Sequence, residues 1–370
     1  MHYNTTLPAA PSCLDAARVA SAEGPRNRMP TSVWLIVHIV VRNPLVNIPS
    51  FTSMVQKTAR LGGSASNVIV GKIGHGLMRM TWFPKNGIPV PDEEAFESMR
   101  AGMDNLPPGA KMILNSGEFY GHEPRTANLD LVARFFEKYP QYKEKAFLCV
   151  KGGSANDTVF RLDMSDDNVR RCVDLSVDKL RGTIEMHHFE LARVSPHHPI
   201  EDNMKVLSEL LEAGKFHHIG LSETRAETIR RAHKVAPVTS VEIEVSPWNY
   251  HQQIQDVVDT CKELGIAILA YSPLGTGLDK KEGHAITDVL NDVAKRNNIT
   301  PAQACIAWVA SRGDHMIPIP GSSHKDRTLE NTAAGDIEFS HEDLAKIDAV
   351  VAEHNAKGGR PIDDPRMDAA

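Results

Sequence analysis

The chain reads Leu114-Asn115-Ser116-Gly117-Glu118-Phe119-Tyr120-Gly121 after one apolar run, and Val150-Lys151-Gly152-Gly153 closes the next. Each apolar run predicts a short buried strand that ends near glycine, and a segment of helical length separates the two. In a β-α-β unit the groups just past parallel strand ends converge at one mouth, so Tyr120 and Lys151 are expected together. A lysine beside a tyrosine lowers the pKa of the phenol and makes it a usable proton donor to a carbonyl oxygen. For Tyr120 alone, packing at a strand end is the alternative.

The strand–helix unit recurs along the chain, with amphipathic segments between apolar runs. A glycine-rich first strand is predicted at Ile73–Met78, and seven more are predicted at Lys111–Asn115, Ala146–Lys151, Ile184–Ala192, His217–Ser222, Ser240–Val245, Ile266–Tyr271 and Met316–Pro320. Eight strands that alternate with helices predict a (β/α)8 TIM barrel. A doubly wound sheet is the alternative, but no G-x-G-x-x-G follows the first strand.

Composition argues against several classes of function. The formal net charge is −6 and no basic block stands out, so a nucleic-acid surface is not expected. Scattered cysteines without C-x-x-C spacing predict free thiols in a reducing, cytoplasmic compartment. The paired histidines point to opposite faces of a strand, which argues against a metal site. No hydrophobic heptad or stripe implies a partner chain, so a monomer or weak oligomer is expected.

The amino-acid composition changes along the chain, and this change suggests a division into an extension, a barrel domain and a tail. Residues 1–65 are rich in Pro, Ser, Asn and Arg, and we expect a poorly ordered N-terminal extension there. Its apolar run Val33–Val41 is too short to cross a bilayer, which takes about 20 residues in a helix. The barrel is expected over residues 66–356, followed by a C-terminal tail over residues 357–370.

Several strand ends resemble those of the aldo-keto reductases. The tyrosine motif and later lysine match the family pattern, as do Gly220–Glu223, Ala270–Gly275 and Pro318–Ser322. The resemblance spans about Val68 to Glu353. Asn115 and Ala192 stand where the family usually has aspartate and histidine, and with the G-E-F-Y-G spelling they look most like the fungal pyridoxal reductase branch.

The resemblance implies an NADPH/NADP+ site at the carboxyl ends of the strands. After the eighth strand, a small-residue turn into a helix N-terminus suits an anion, and Arg327 offers a charged fork for a phosphate. The cofactor-binding residues that the resemblance implies are Ser222, Glu223, Glu242, Tyr271, Ser272, Leu274, Ser322, Lys325, Arg327, Glu330 and Asn331. Glu223 and Glu242 replace the common Asn and Gln that hold the carboxamide, and a carboxylate can accept from an amide but cannot donate to it. A capped surface helix with ordinary ion pairs is the alternative for the last loop taken alone.

The resemblance also implies the activity. We expect NADPH-dependent reduction of a small-molecule aldehyde such as pyridoxal, with Tyr120 as proton donor, Lys151 setting its pKa and Asn115 accepting a hydrogen bond from Lys151. Because Asn115 has no charge, Lys151 is expected to be less restrained. The substrate pocket is expected to draw on Trp82, His122, Arg193 and Trp248.

Two other functions stay open at this point. The loop after the seventh strand, from Thr276 to about His284, is shorter than the family's usual clamp over the cofactor. That loop and the missing Asp and His equivalents favour a non-catalytic, NADPH-binding regulatory or redox-sensing barrel as the first alternative. A defective gene product is the second.

Overall fold

The computed structural model describes residues 54–82, 89–155, 161–195, 197–275, 284–356 and 358. The first 53 residues of the expected extension lie outside these ranges. So do residues 276–283, where the shortened loop is expected, and the expected C-terminal tail apart from residue 358.

Two short strands precede the barrel and close its amino-terminal end. Strand β1 (Thr58–Arg60) pairs antiparallel with β2 (Ile69–Gly71). Between them, Gly62 N donates to Thr239 O at 3.1 Å and Gly63 N donates to Gly265 O at 3.2 Å. Ala59, Leu61 and Ala65 are buried in one cluster with apolar side chains from the barrel strands. Residues 54–65 therefore fold with the barrel and not with the extension to which the sequence assigned them, because they fill the bottom of its interior.

Eight parallel strands form one sheet in chain order, as predicted. They are β3 (His75–Gly76), β4 (Met112–Gly117), β5 (Ala146–Gly152), β6 (His188–Leu191), β7 (His218–Ser222), β8 (Val238–Glu244), β9 (Ala267–Tyr271) and β10 (Met316–Pro318). The first and last strands meet through Gly74 N to Pro318 O at 2.8 Å and Gly76 N to Pro320 O at 3.1 Å, which closes the barrel. A Cβ at Gly76 would lie 2.8 Å from Ile319 O, so the seam requires glycine there.

The helices of the described ranges lie between the strands and cover the barrel. They are α1 (Met78–Thr81), α2 (Asp92–Asp104), α3 (Ala127–Lys138), α4 (Asp166–Leu180), α5 (Ile200–Glu212), α6 (Ala226–Val235), α7 (Gln252–Leu264), α8 (His284–Arg296), α9 (Pro301–Ala310), α10 (Lys325–Ala333) and α11 (His341–Asn355). Helix α9 begins with a capping box, in which Thr300 and Gln303 each bond the other's backbone N–H. Within the described part of the chain, no helix is both long and apolar enough to cross a membrane.

The barrel interior divides into an apolar part and a polar part. Ile113 on β4, Leu269 on β9 and Ile317 on β10 pack together with Ile319, which follows β10. Strands β5, β6 and β8 instead bring charged side chains inward near their carboxyl ends. The candidate site lies at the carboxyl ends of the strands, beyond this apolar cluster and next to the charged side chains of β5, β6 and β8.

Candidate active site

A cavity of about 1060 Å³ opens at the carboxyl ends of the barrel strands. Most residues predicted for catalysis, nicotinamide binding and substrate binding line it. These are Trp82, Asn115, Tyr120, His122, Lys151, Arg193, Ser222, Glu242, Tyr271, Ser272 and Leu274. The barrel thus brings to one mouth side chains that lie up to 192 positions apart in the sequence, from Trp82 to Leu274.

A chain of hydrogen bonds holds the backbone at Tyr120. Thr81 Oγ1 donates to Tyr120 O at 2.6 Å, and Asn128 Nδ2 donates to Thr81 Oγ1 at 2.7 Å. Ser116 Oγ in turn donates to Asn128 Oδ1 at 2.7 Å. The tyrosine ring stacks on Trp82, with ring centroids 5.7 Å apart and planes 28° apart. These contacts fix the position of the Tyr120 ring at the cavity wall.

Lys151 lies between two buried carboxyl groups. Its Nζ atom is 2.6 Å from Glu190 Oε1 and 2.7 Å from Glu242 Oε2, and the two glutamate side chains are 0% and 3% exposed. Asn115 Nδ2 donates to Glu242 Oε2 at 2.6 Å, and the polar contacts of Lys151 among the described residues go to the two glutamates, so the expected hydrogen bond from Lys151 to Asn115 is wrong. The expectation of a loosely restrained lysine is wrong too. Burial lowers the pKa of Lys151, but Glu190 and Glu242 outweigh it and hold the pKa well above its usual value.

The hydroxyl of Tyr120 keeps its proton firmly in this structure. Burial raises the pKa of Tyr120 to about 12; Lys151 lowers it, whereas Glu242 and Glu190 raise it. The lowered tyrosine pKa expected from Lys151 alone is therefore wrong, because burial outweighs the ammonium charge and the two carboxyl groups further offset that charge. At neutral pH the residue is a protonated phenol, which is the form that can donate.

Ala192 is buried and lines the cavity, so no imidazole occupies the end of β6. The nearby His188 lies deeper in the same strand and does not line the cavity. Its Nε2 atom is 3.0 Å from Ser240 Oγ, and burial lowers its pKa to about 3, so it is a neutral core side chain. Arg193 follows Ala192 at the mouth, and its charge lowers the pKa of Tyr120, which indicates proximity to the phenol.

The residues expected to hold the carboxamide do not all face the cavity. Ser222 lines it, and its buried hydroxyl has no hydrogen-bond partner in the described ranges. Glu223 does not line it; its Oε1 accepts from Tyr271 Oη at 3.0 Å and from Glu244 N at 3.2 Å. Its backbone φ is 51°, in the left-handed region, just after the strand end, and a role of Glu223 toward the carboxamide stays a prediction. Its carboxylate orients the ring of Tyr271.

The loop after β10 forms the predicted turn into a helix N-terminus. Ser322 is buried, and its Oγ accepts from His324 N at 3.1 Å just before α10. Lys325 pairs with Glu97 at 3.3 Å with both side chains about half exposed. Arg327 is exposed and makes no ion pair with any described residue. This end of the site therefore presents cations to solvent.

The last two predicted cofactor residues lie further along α10. Glu330 Oε1 accepts from Thr300 Oγ1 at 2.6 Å, which joins α10 to the start of α9. Asn331 is buried on the same helix. Neither residue lines the cavity, and both lie beyond the turn that Ser322 begins.

Trp248 is the substrate residue that the structure does not bring to the cavity. It is buried, and a Cβ at Gly275 would lie 2.8 Å from its ring, so it supports the loop after β9.

The prediction missed Glu190. Its register partner across the sheet is Lys151. Glu190 lies two positions before Ala192, and residues two apart in a strand share a face, which was the signal that could have found it.

Comparisons with known proteins identify relatives of this chain in sequence and in fold. The sequence model described as "Aldo/keto reductase family" matches residues 72–352. The chain is 33% identical over 322 residues to "Probable pyridoxal reductase 2" of Schizosaccharomyces pombe, covering 79% of this chain and 94% of that protein. It is 30% identical over 335 residues to "Putative pyridoxal reductase" of Saccharomyces cerevisiae, covering 78% and 94%. The glycerol dehydrogenase from Gluconobacter oxydans has a similar fold, with TM-score 0.67, 17% identity and coverage of 83% of this chain and 98% of that chain.

Proposed function

Because the chain belongs to the aldo/keto reductase family, we propose that it reduces an aldehyde to an alcohol with NADPH. The observation that carries the proposal is that Tyr120 and the buried Lys151 line one cavity, and a raised pKa keeps the phenol of Tyr120 protonated at neutral pH. General acid catalysis needs a proton donor that faces the reacting oxygen, and the cavity is large enough for substrate and nicotinamide together.

The residues of the mouth suit a nicotinamide dinucleotide. The buried Ser222 hydroxyl lacks a partner in the described ranges and would gain one from an amide. Tyr271 is held by Glu223 with its ring toward the cavity, where a nicotinamide ring would stack. At the other end, Ser322, Lys325 and Arg327 would bind a 2′-phosphate at the start of α10, with Glu330 and Asn331 toward adenine.

When bound, NADPH supplies the hydride. Tyr120 then gives its proton to the carbonyl oxygen, and Lys151 stabilises the phenolate that is left. Because Ala192 offers no imidazole to hold that oxygen, we expect the substrate itself to contribute to its orientation.

The substrate class that we propose is a ring aldehyde with polar substituents, such as pyridoxal. Support comes from the relatives named as pyridoxal reductases and from the side chains at the mouth. Trp82 offers an apolar face, while Arg193 and His122 offer donors to ring oxygens. Cys149, Cys172 and Cys261 are buried free thiols, which supports a cytoplasmic location.

The test is NADPH oxidation across a panel of aldehydes that includes pyridoxal and small unsubstituted aldehydes. Turnover is expected to be highest with pyridoxal-like aldehydes. Tyr120→Phe is expected to lower kcat by about 10²–10⁴-fold while NADPH affinity is retained. Tight NADPH binding without turnover of any aldehyde would favour the regulatory barrel, and turnover within a few-fold of wild type would remove Tyr120 from the mechanism.

A further inference from the structure

The charge around Lys151 does not balance if both neighbouring glutamates are ionised. One ammonium would then face two carboxylates, all three at most 6% exposed, and the barrel interior would hold a net negative charge. Burying an uncompensated charge is costly, and buried carboxyl groups take up protons to avoid it. Electroneutrality therefore favours a single proton on the two glutamates.

The unmet hydrogen bond of Glu190 also favours a proton on the two glutamates. Glu190 Oε2 is buried and has no donor among the described residues. Burial and the charge of Glu190 raise the pKa of Glu242 to about 8, although Lys151 lowers it. A buried carboxylate oxygen without a donor is costly, whereas a protonated carboxyl group carries no charge and can itself donate.

We propose that Glu190 and Glu242 share one proton and together act as the charge partner through which Lys151 sets the state of Tyr120. Asn115 is then a positioning residue, since it donates to the Glu242 oxygen that also contacts Lys151. An aspartate at position 115 would face that oxygen with a second carboxylate, so the uncharged amide and the pair fit each other.

The pair also makes the site sensitive to pH, a consequence that rests on the proposed function. Loss of the shared proton adds a negative charge near Tyr120, which raises the pKa of the phenol and weakens it as a donor. The titratable groups that face Glu242 are Glu190, Lys151, Tyr120, His188 and Cys149. Of these, His188 is already neutral, and burial holds the pKa of the Cys149 thiol well above its usual value. Ionisation of the pair is therefore expected to be the first change as pH rises.

The first test needs neither cofactor nor substrate. Infrared difference spectra of the protein between about pH 6 and about pH 9 are expected to show the carbonyl band of a protonated carboxyl that disappears at the higher pH. Glu190→Gln and Glu242→Gln should each remove this band. Glu118→Gln is the control, because Glu118 is equally buried but accepts from Ser154 and does not contact Lys151. Absence of the band in wild type, or its loss only in Glu118→Gln, would overturn the shared proton.

The second test separates a charge partner from a merely structural pair. Either glutamine substitution leaves one carboxylate on Lys151, so the double substitution should lower kcat/KM at least tenfold more than the product of the single effects. Adding Asn115→Asp to the double variant should restore activity, because the aspartate returns a negative charge beside Lys151. The fall of kcat at alkaline pH should disappear in Glu242→Gln. Additive single effects with no rescue by Asn115→Asp would contradict the proposal. If wild type turns over no aldehyde, the proposed function fails, and the infrared spectra still decide whether the proton is shared.

Discussion

The site contains two lysine–glutamate pairs that differ mainly in their surroundings. Lys151 and Glu190 are 2.6 Å apart with side chains 6% and 0% exposed. Lys325 and Glu97, at the start of α10, are 3.3 Å apart with side chains 50% and 51% exposed. Water screens the second pair and can replace either partner, whereas nothing replaces a lost partner in the first. The same two residue types therefore form a fixed charge balance in one place and an ion pair with exchangeable partners in the other.

The largest expected effect compares the same substitution at both places. Lys151→Met leaves two carboxyl groups buried without their cation, and such a loss costs about 3–5 kcal/mol of unfolding free energy. Lys325→Met removes an exposed pair and should cost less than about 1 kcal/mol. Chemical denaturation of both variants at neutral pH measures the difference. Equal losses would show that burial does not distinguish the two pairs.

The second expected effect is a dependence of stability on pH that arises only at the buried pair. Burial and Glu190 raise the pKa of Glu242 from 4.5 to about 8, so the native state holds a proton there that the unfolded state has released. The stability from this proton is complete below the ordinary pKa of 4.5 and is lost as pH rises through about 8. Each pH unit of that difference corresponds to about 1.36 kcal/mol, so the contribution of Glu242 to the unfolding free energy should fall by about 2 kcal/mol between about pH 6.5 and 8.

The other shifted groups change stability in the opposite direction as pH rises. Burial lowers the pKa of His187, His188 and His218 from 6.5 to about 4, 3 and 4, and it also lowers those of His75 and His315, so these groups add stability as pH rises through 6.5 and level off about one pH unit above it. Burial also lowers the pKa of Lys72 from 10.5 to about 8, and its contribution therefore grows mainly above that pH. Glu242→Gln is the control, and it should remove the fall while leaving the histidine contributions in place. Equal slopes in wild type and Glu242→Gln would contradict a raised pKa at Glu242.

The sequence predicted the barrel because each strand carries its own local signal. The alternation of apolar runs and helices placed all eight strands, and the strand-end rule placed Tyr120 and Lys151 at one mouth. The partners of Lys151 could not be predicted in the same way. Glu190 contacts it through the register of β5 and β6, and Glu242 reaches it from β8 across the barrel. Such contacts depend on tertiary placement of side chains, which neither periodicity nor resemblance specifies.

The third expected effect concerns the exposed cations. Arg327 is exposed and without an ion pair in the described ranges, so its guanidinium is available to a 2′-phosphate. Charge-assisted hydrogen bonds contribute about 1.5–3 kcal/mol, so Arg327→Met should weaken NADPH binding roughly tenfold or more. NADH lacks the phosphate and should bind nearly as before. Fluorescence titration with both cofactors measures this, and equal losses would mean that Arg327 supports the loop without reading the phosphate.

The smallest expected effect is the response to salt, which should act on one region and spare the other. The Debye length falls from about 10 Å at 0.1 M to about 3 Å at 1 M, so salt screens the exposed Lys325 and Arg327 but hardly reaches Lys151. The Kd for NADPH should therefore rise a few-fold over this range, and less in Arg327→Met, where part of the screened attraction is already gone. At saturating NADPH and aldehyde, kcat should stay nearly constant, because the charges that set the state of Tyr120 are buried with it. If kcat fell with salt as steeply as NADPH affinity, the Lys151 pair would be open to solvent ions, and the contrast between the two regions would fail.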